Sequence, residues 1–138
     1  MKRPCILLVE DDDDVSDVVA ATLRAAGYDV DLARNGEEGL WRLRQGQLPR
    51  LILLDWSMPV MSAPDMFAAM QSEAPWRGLP VVLLTAHDDA KDKALALRAS
   101  GYLKKPIDSE DLLRMVNVLL REHTTPRSRR TVWELDQT

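Results

Sequence analysis

Leu51-Ile52-Leu53-Leu54-Asp55-Trp56-Ser57-Met58-Pro59 is the stretch on which the fold turns. Four apolar residues in succession suit a strand buried on both faces, as in a parallel sheet. Asp55 closes that strand with a carboxylate, which is costly among apolar neighbours unless its charge is used. In open α/β sheets the carboxyl ends of the strands form the rim where ligands bind. Asp55 is therefore the first candidate for chemistry.

Similar strands lie on either side. Towards the amino terminus, Cys5-Ile6-Leu7-Leu8-Val9 is a short apolar strand that runs into Glu10-Asp11-Asp12-Asp13-Asp14. The next segment places Val15, Val18, Val19, Thr22, Leu23 and Ala26 on one helical face, and Gly27 ends it. Asp29-Val30-Asp31-Leu32 alternates as a second strand. Asn35 then caps a helix carrying Leu40, Trp41 and Leu43, with Glu38 completing a capping-box spacing and a stop near Gly46 and Pro49.

Beyond Asp55, Pro64 suits the first turn of a helix through Met66, Phe67 and Met70. Residues 74–80 read as a loop, Val81-Val82-Leu83-Leu84-Thr85 as a fourth buried strand, and Asp89 as the cap of a fourth helix with Ala90, Ala94 and Leu97 inward. Gly101-Tyr102-Leu103-Lys104 is a short fifth strand. Asp108 caps a last helix whose face is Leu112, Leu113, Val116, Leu119 and Leu120. Strand and helix thus alternate five times, which calls for a doubly wound α/β domain with a parallel sheet. Strand order stays open at this level.

The expected domain spans 1–122, and the polar, basic stretch 123–138 reads as a tail or the start of a linker. With 138 residues, 46% hydrophobic content and a net charge of −4, the chain reads as one globular domain whose body is not a nucleic-acid binder. The single cysteine, Cys5, forms no internal disulfide and fits a reducing compartment. Residues 5–9 are too short for the apolar core of a signal peptide, and no stretch reaches membrane-spanning length. The expectation is a cytoplasmic protein without membrane contact.

Polar groups of complementary kinds end the strands: Glu10 and Asp11 after the first, Asp55 on the third, Thr85 on the fourth, Lys105 after the fifth. A parallel sheet brings these ends to one rim. Three crowded carboxylates repel one another and attract a hard divalent cation, for which magnesium is best suited and manganese a possible substitute. A carboxylate can also act as a nucleophile towards phosphorus, helped by a metal, an ammonium and a hydroxyl donor.

In these motifs the chain resembles the receiver domains of two-component response regulators. Ile6-Leu7-Leu8-Val9-Glu10-Asp11-Asp12 is similar to that family's first strand and acidic pair. Leu53 to Pro59 is similar to its phosphorylation site, Leu84-Thr85-Ala86 to its threonine motif and Tyr102-Leu103-Lys104-Lys105-Pro106 to its lysine–proline motif. The resemblance covers residues 4 to 122 and implies a flavodoxin-like (βα)5 sheet of order 2-1-3-4-5. It implies that Asp55 accepts a phosphoryl group from a phosphohistidine of a sensor histidine kinase or histidine phosphotransfer protein. Glu10, Asp11, Asp55 and the Ser57 carbonyl would hold magnesium, Thr85 and Lys105 would contact the phosphoryl group, and Tyr102 would turn inward with Thr85. Ser57 and His87 would tune phosphate lifetime, and the Lys105–Pro106 bond would be cis. Output to a downstream protein would pass through the fourth helix, fifth strand and fifth helix, with Leu95, Arg98 and Tyr102 on that face.

Three departures stand out. Glu10 takes a position where aspartate is commoner, Val60-Met61-Ser62-Ala63 replaces a glycine-containing turn, and Arg98 replaces a glycine. Glycine is favoured where φ is positive, so both loops are expected to differ in geometry.

Plainer readings apply elsewhere. Asp12, Asp13 and Asp14 are solvated acids at a helix start. Ser16 rules out an EF-hand loop, which needs glycine there. Lys104 is a surface charge, and Trp41 and Trp76 are structural. Two rival functions fit less well. A haloacid-dehalogenase-type phosphatase needs a second aspartate where Ser57 stands. A flavin or nucleotide domain needs a glycine-rich loop after the first strand, where this chain has acids. The expectation is a stand-alone, phosphorylation-switched module that turns over no separate metabolite. The alternatives are a piece of a larger regulator or hybrid histidine kinase, or a degenerate receiver acting without phosphorylation.

Overall fold

The computed structural model describes residues 5–45 and 48–122; the expected tail, 123–138, lies outside the described residues. Five strands make one parallel sheet: β1 (Cys5–Val9), β2 (Asp29–Ala33), β3 (Leu51–Asp55), β4 (Val81–Thr85) and β5 (Gly101–Lys104), in the order β2-β1-β3-β4-β5. The helices among the described residues are α1 (Asp13–Ala25), α2 (Gly36–Arg44), α3 (Ala63–Gln71), the single-turn α4 (Ala74–Arg77), α5 (Ala90–Leu97) and α6 (Ser109–Glu122).

The apolar runs of β1, β3 and β4 serve two cores at once because successive side chains point to opposite faces. Ile6, Leu8, Leu51, Leu53, Val82 and Leu84 pack with α1 and α6 on one side. Leu7, Val9, Ile52, Leu54, Val81 and Leu83 pack with α2, α3, Trp76 of α4 and Ala94 of α5 on the other. Every residue of β3 and β4 is buried. That explains why these strands carry runs of apolar residues rather than an alternation.

The expected caps hold at two helices. Asn35 Oδ1 accepts from the Glu38 N–H at 2.9 Å, and Asp108 Oδ1 accepts from the Asp111 N–H at 3.0 Å. Gly27 follows α1 at φ +99°, a conformation that glycine adopts without a Cβ penalty. Asp12, one of the supposed solvated acids, caps α1 through bonds from the Asp14 and Val15 N–H groups.

Four expectations need correction. Residues 74–80 are not all loop, because Pro75 near the start of α4 permits one helical turn that buries Trp76. Asp89 stands at the N-cap position of α5, but its side chain caps nothing. Val18, at 60% exposed, faces away from the core, as does Ala26, and the inward residues of α1 are Ser16, Val19, Ala20 and Leu23. Both sets have the i, i+3, i+4, i+7 spacing, and the buried stripe is displaced by one residue from the one the valines suggest. Trp41 is 53% exposed and bears the Arg42 guanidinium 5.4 Å from its ring centre, so it is no core residue, whereas Trp76 is.

Both glycine-poor loops adopt the conformation that glycine would take. Val60 has φ +70° and Arg98, the C-cap of α5, has φ +60°. A β-branched side chain in this region is strained by about 1–3 kcal/mol. Val60 is 76% exposed, so little burial offsets the strain. Val60→Gly is expected to raise stability in urea denaturation by about 1 kcal/mol, after allowing for glycine's larger unfolded-state entropy. The loop is otherwise anchored: the Gly36 N–H donates to the Met61 carbonyl at 3.3 Å. A Cβ on Gly36 would lie 2.9 Å from that oxygen, so the close approach requires glycine.

Candidate functional site

Register alone brings the site residues together. Val9 pairs with Leu54 across β1 and β3, so the next residues, Glu10 and Asp55, emerge side by side at the rim. Asp55 pairs with Leu84, which sets Thr85 one step further out, and Thr85 pairs with Lys104. The Lys105 N–H donates to the Thr85 carbonyl at 2.8 Å and carries the ladder past the end of β5. The Lys105–Pro106 bond is cis.

Glu10, Asp55 and Thr85 are all buried, Asp55 being only 3% exposed. The Lys105 ammonium reaches between the acids, 2.8 Å from Glu10 Oε1 and 3.2 Å from Asp55 Oδ1. Burial pushes the Asp55 carboxyl up to about 7, and the adjoining Glu10 carboxyl pushes the same way; Lys105 opposes both. Burial lowers the Lys105 pKa, but its bond to Glu10 and the nearby Asp55 and Glu10 charges outweigh this and hold it above its ordinary value. Two buried carboxyls with one ammonium between them make a pocket poised to take up more positive charge. Glu10, Asp11 and Asp55 each offer a carboxylate oxygen, all within 4.8 Å of one another. This hard oxygen set fits a divalent cation of the magnesium type.

The surrounding loops supply the remaining expected residues. Thr85 Oγ1 accepts from the His87 N–H at 3.1 Å, and Ser57 Oγ lies 3.4 Å from His87 Nε2. Ser57 and His87, 30 residues apart in sequence, thus meet at the mouth of the pocket. Tyr102 is half-buried on β5 and packs against the second core. Lys104 points away and pairs with Asp88 at 2.7 Å, as expected of a surface charge. Leu95 on α5 and Arg98 at its C-cap lie exposed.

One neighbour escaped the sequence reading. The Lys93 ammonium of α5 stands 5.0 Å from the centre of the Trp56 ring. The spacing of Asp89 and Lys93 signals a helical ion pair. Nothing in the sequence, however, places that helix against the residue after Asp55.

A doubly wound parallel domain with an acid pocket at the strand ends, crossed by a lysine and flanked by a threonine, defines a class of phosphoryl-handling signalling domains. The model of the response regulator receiver domain matches residues 6–117, and the chain belongs to that family. Among curated proteins it is 32% identical over 120 residues to the phosphate regulon transcriptional regulatory protein PhoB of Rhizobium meliloti, covering 86% of this chain and 52% of that one. A putative response regulator from Chloroflexus aurantiacus superposes with a TM-score of 0.81 at 30% identity, covering 87% of this chain and 99% of that one. Chemotaxis response regulator CheY4 of Vibrio cholerae does so with a TM-score of 0.78 at 29% identity, covering 86% and 99%. The chain spans about half the length of the curated relatives it matches. No helix among the described residues is long and apolar enough to cross a membrane.

Proposed function

We propose that Asp55 is the phosphoryl acceptor of this receiver domain and that its phosphorylation switches a protein-binding surface. The observation that carries this is the convergence of Asp55 with Lys105, Thr85, Glu10 and Asp11 on one buried rim. In the reaction, an Asp55 oxygen forms a bond to the phosphorus of a phosphohistidine. The N–P bond breaks, and its electron pair returns to the imidazole. Magnesium, held by Glu10, Asp11, Asp55 and the Ser57 carbonyl, with manganese as a substitute, would supply charge neutralisation for the transferring group. Lys105 is already aimed at Asp55 and would pair with a phosphoryl oxygen, and the Thr85 hydroxyl would donate to another.

An open apolar groove of about 240 Å³ adjoins Lys105 and is lined by Val15, Val18, Val19, Pro106 and Ile107. It gives the outward-facing Val18 a role as part of the seat for a histidine kinase or histidine phosphotransfer helix. Such a donor must approach the pocket from its open side. The output face is α5, β5 and α6, with Leu95, Arg98 and Tyr102; Tyr102 turns inward as Thr85 moves to the phosphoryl group. The domain, 1–122, would work in the cytoplasm and carry out only its own phosphorylation and dephosphorylation.

Ser57 and His87 meet on the exposed side of Thr85, where they could act on a water attacking the phosphorus. We expect His87→Ala to change the decay rate of the phosphorylated protein by several-fold while leaving its uptake rate within about twofold, since water positioning is a modest catalytic term. Equal decay rates would remove His87 from this role.

The reading as a whole is tested by adding magnesium and beryllofluoride and following tryptophan fluorescence, with Trp56→Phe to assign the signal and Asp55→Asn as control. Magnesium-dependent quenching that vanishes in both variants is expected. A response that survives Asp55→Asn would refute the assignment.

A further inference from the structure

Asp89 presents an unusual choice. It occupies the N-cap position of α5 with φ −91° and ψ 32°, away from the extended backbone typical of a cap, and its carboxylate bonds no helix N–H. Instead, both carboxylate oxygens bind the Lys93 ammonium, at 2.7 and 2.6 Å. That ammonium in turn rests over the Trp56 ring. Lys93 is only 17% exposed, against 52% for Lys104, so the cation is held in place rather than free in solvent. The backbone of Trp56 is tied to the sheet, its main-chain N–H donating to the Leu84 carbonyl at 2.9 Å.

The carboxylate has two uses that belong to different backbone conformations of Asp89: the present one, at φ −91° and ψ 32°, turns both oxygens to Lys93, and an extended one would turn them to the helix N–H groups. It can neutralise Lys93 over Trp56, or it can accept from the N–H groups of Lys91 and Asp92 and cap α5. We propose that Asp89, Lys93 and Trp56 form a two-position latch between the strand end that carries Asp55 and the start of α5. In the latched position, seen here, Lys93 keeps Asp89 off the helix end. In the released position, Asp89 turns into the extended region and caps α5.

This proposal rests on Asp55 being the phosphoryl acceptor, and it adds how the signal reaches the output face. The path is short. The Thr85 hydroxyl accepts from the His87 N–H, so a phosphoryl group that draws Thr85 inward pulls on residues 86–89. Asp89 is the hinge at the far end of that loop. A helix that gains a cap and loses its tie to Trp56 has two discrete states that pocket and partner can both bias. Lys93 is a positioning residue here, since it acts through Trp56 and Asp89 and not on the reacting atoms.

The test is amide hydrogen exchange and tryptophan indole resonances, read by NMR on the full chain. In Lys93→Met, without phosphoryl analogue, exchange at Lys91 and Asp92 should slow about fivefold, the scale of one cap bond, and the Trp56 indole should shift. Asp89→Ala should shift the Trp56 indole without slowing that exchange. Magnesium with beryllofluoride should slow exchange at Lys91 and Asp92 in the wild type. By linkage, Lys93→Met should bind the analogue up to about fivefold more tightly. Unchanged exchange in Lys93→Met overturns the latch. If beryllofluoride shifts the Asp55 and Thr85 amides but not those of Lys91 and Asp92, the latch fails while the acceptor reading stands. If it shifts none of them, both fall.

Discussion

Asp55→Asn is expected to abolish phosphoryl uptake and, in the metal-free protein at neutral to mildly alkaline pH, to raise stability by about 1–2 kcal/mol. With Asp55 as the proposed nucleophile, uptake is lost because an amide does not form the acyl phosphate. The gain in stability follows from linkage. The Asp55 carboxyl titrates at about 7 in the fold, above its ordinary 3.8, chiefly because it is buried and also because Glu10 adjoins it. The folded state therefore holds this proton more tightly than the unfolded chain does. The stability that the proton confers is complete below the ordinary value and is lost as pH rises through about 7. Each pKa unit corresponds to about 1.4 kcal/mol, which bounds the effect from above, and Glu10–Asp55 coupling and solvent at the rim reduce it. Urea denaturation across this pH range should show the gap between variant and wild type widening with pH. Added magnesium should narrow it by stabilising the wild type alone.

Lys105→Met produces the second large effect. Phosphoryl uptake should fall by about 10²-fold, the usual cost of removing one charged group aimed at a developing anion. Magnesium affinity should move the other way. The ammonium lies 2.8 Å from Glu10 Oε1, within the set of carboxylates that would hold the metal, so it competes with a cation for the same charge. Removing it leaves Glu10 and Asp55 facing each other without a counter-ion. The metal-free variant should therefore lose about 1–3 kcal/mol of stability. Lys105→Arg keeps the charge but brings a planar fork into a pocket shaped for a compact ammonium, so its uptake should recover only in part. Calorimetric magnesium titration alongside the uptake assay separates the two roles: tighter metal binding with slower uptake is expected. Weaker metal binding would mean that Lys105 shapes the pocket rather than competing for it.

The architecture was legible because the central strands carry apolar runs and helical segments separate the strands, two of them begun by caps the sequence marks at Asn35 and Asp108. Runs such as 51–54 and 81–84 have no other home than a sheet covered on both sides. The rim residues were legible for the same reason, since a parallel sheet leaves strand ends no choice of side. What the sequence hid is tertiary in origin. Val18 looks like a core residue by composition, yet α1 meets the sheet through Ser16, Val19, Ala20 and Leu23. Trp41 is large and apolar but lies on the solvent side of α2. Asp89 has the right type and place for a cap, and Lys93 one turn later takes its charge. Val60 and Arg98 were recognisable as positions that want glycine, and the structure shows that the backbone keeps the glycine-like conformation despite the side chain.

The central claim is that Asp55 takes the phosphoryl group, and peptide mapping by mass spectrometry tests it most directly. The protein is incubated with a small phosphodonor, with and without magnesium. A single phosphoryl group on the peptide containing Asp55, formed only with magnesium and absent from Asp55→Asn, is the predicted result. A phosphoryl group on any other residue, or uptake undiminished in Asp55→Asn, would contradict it.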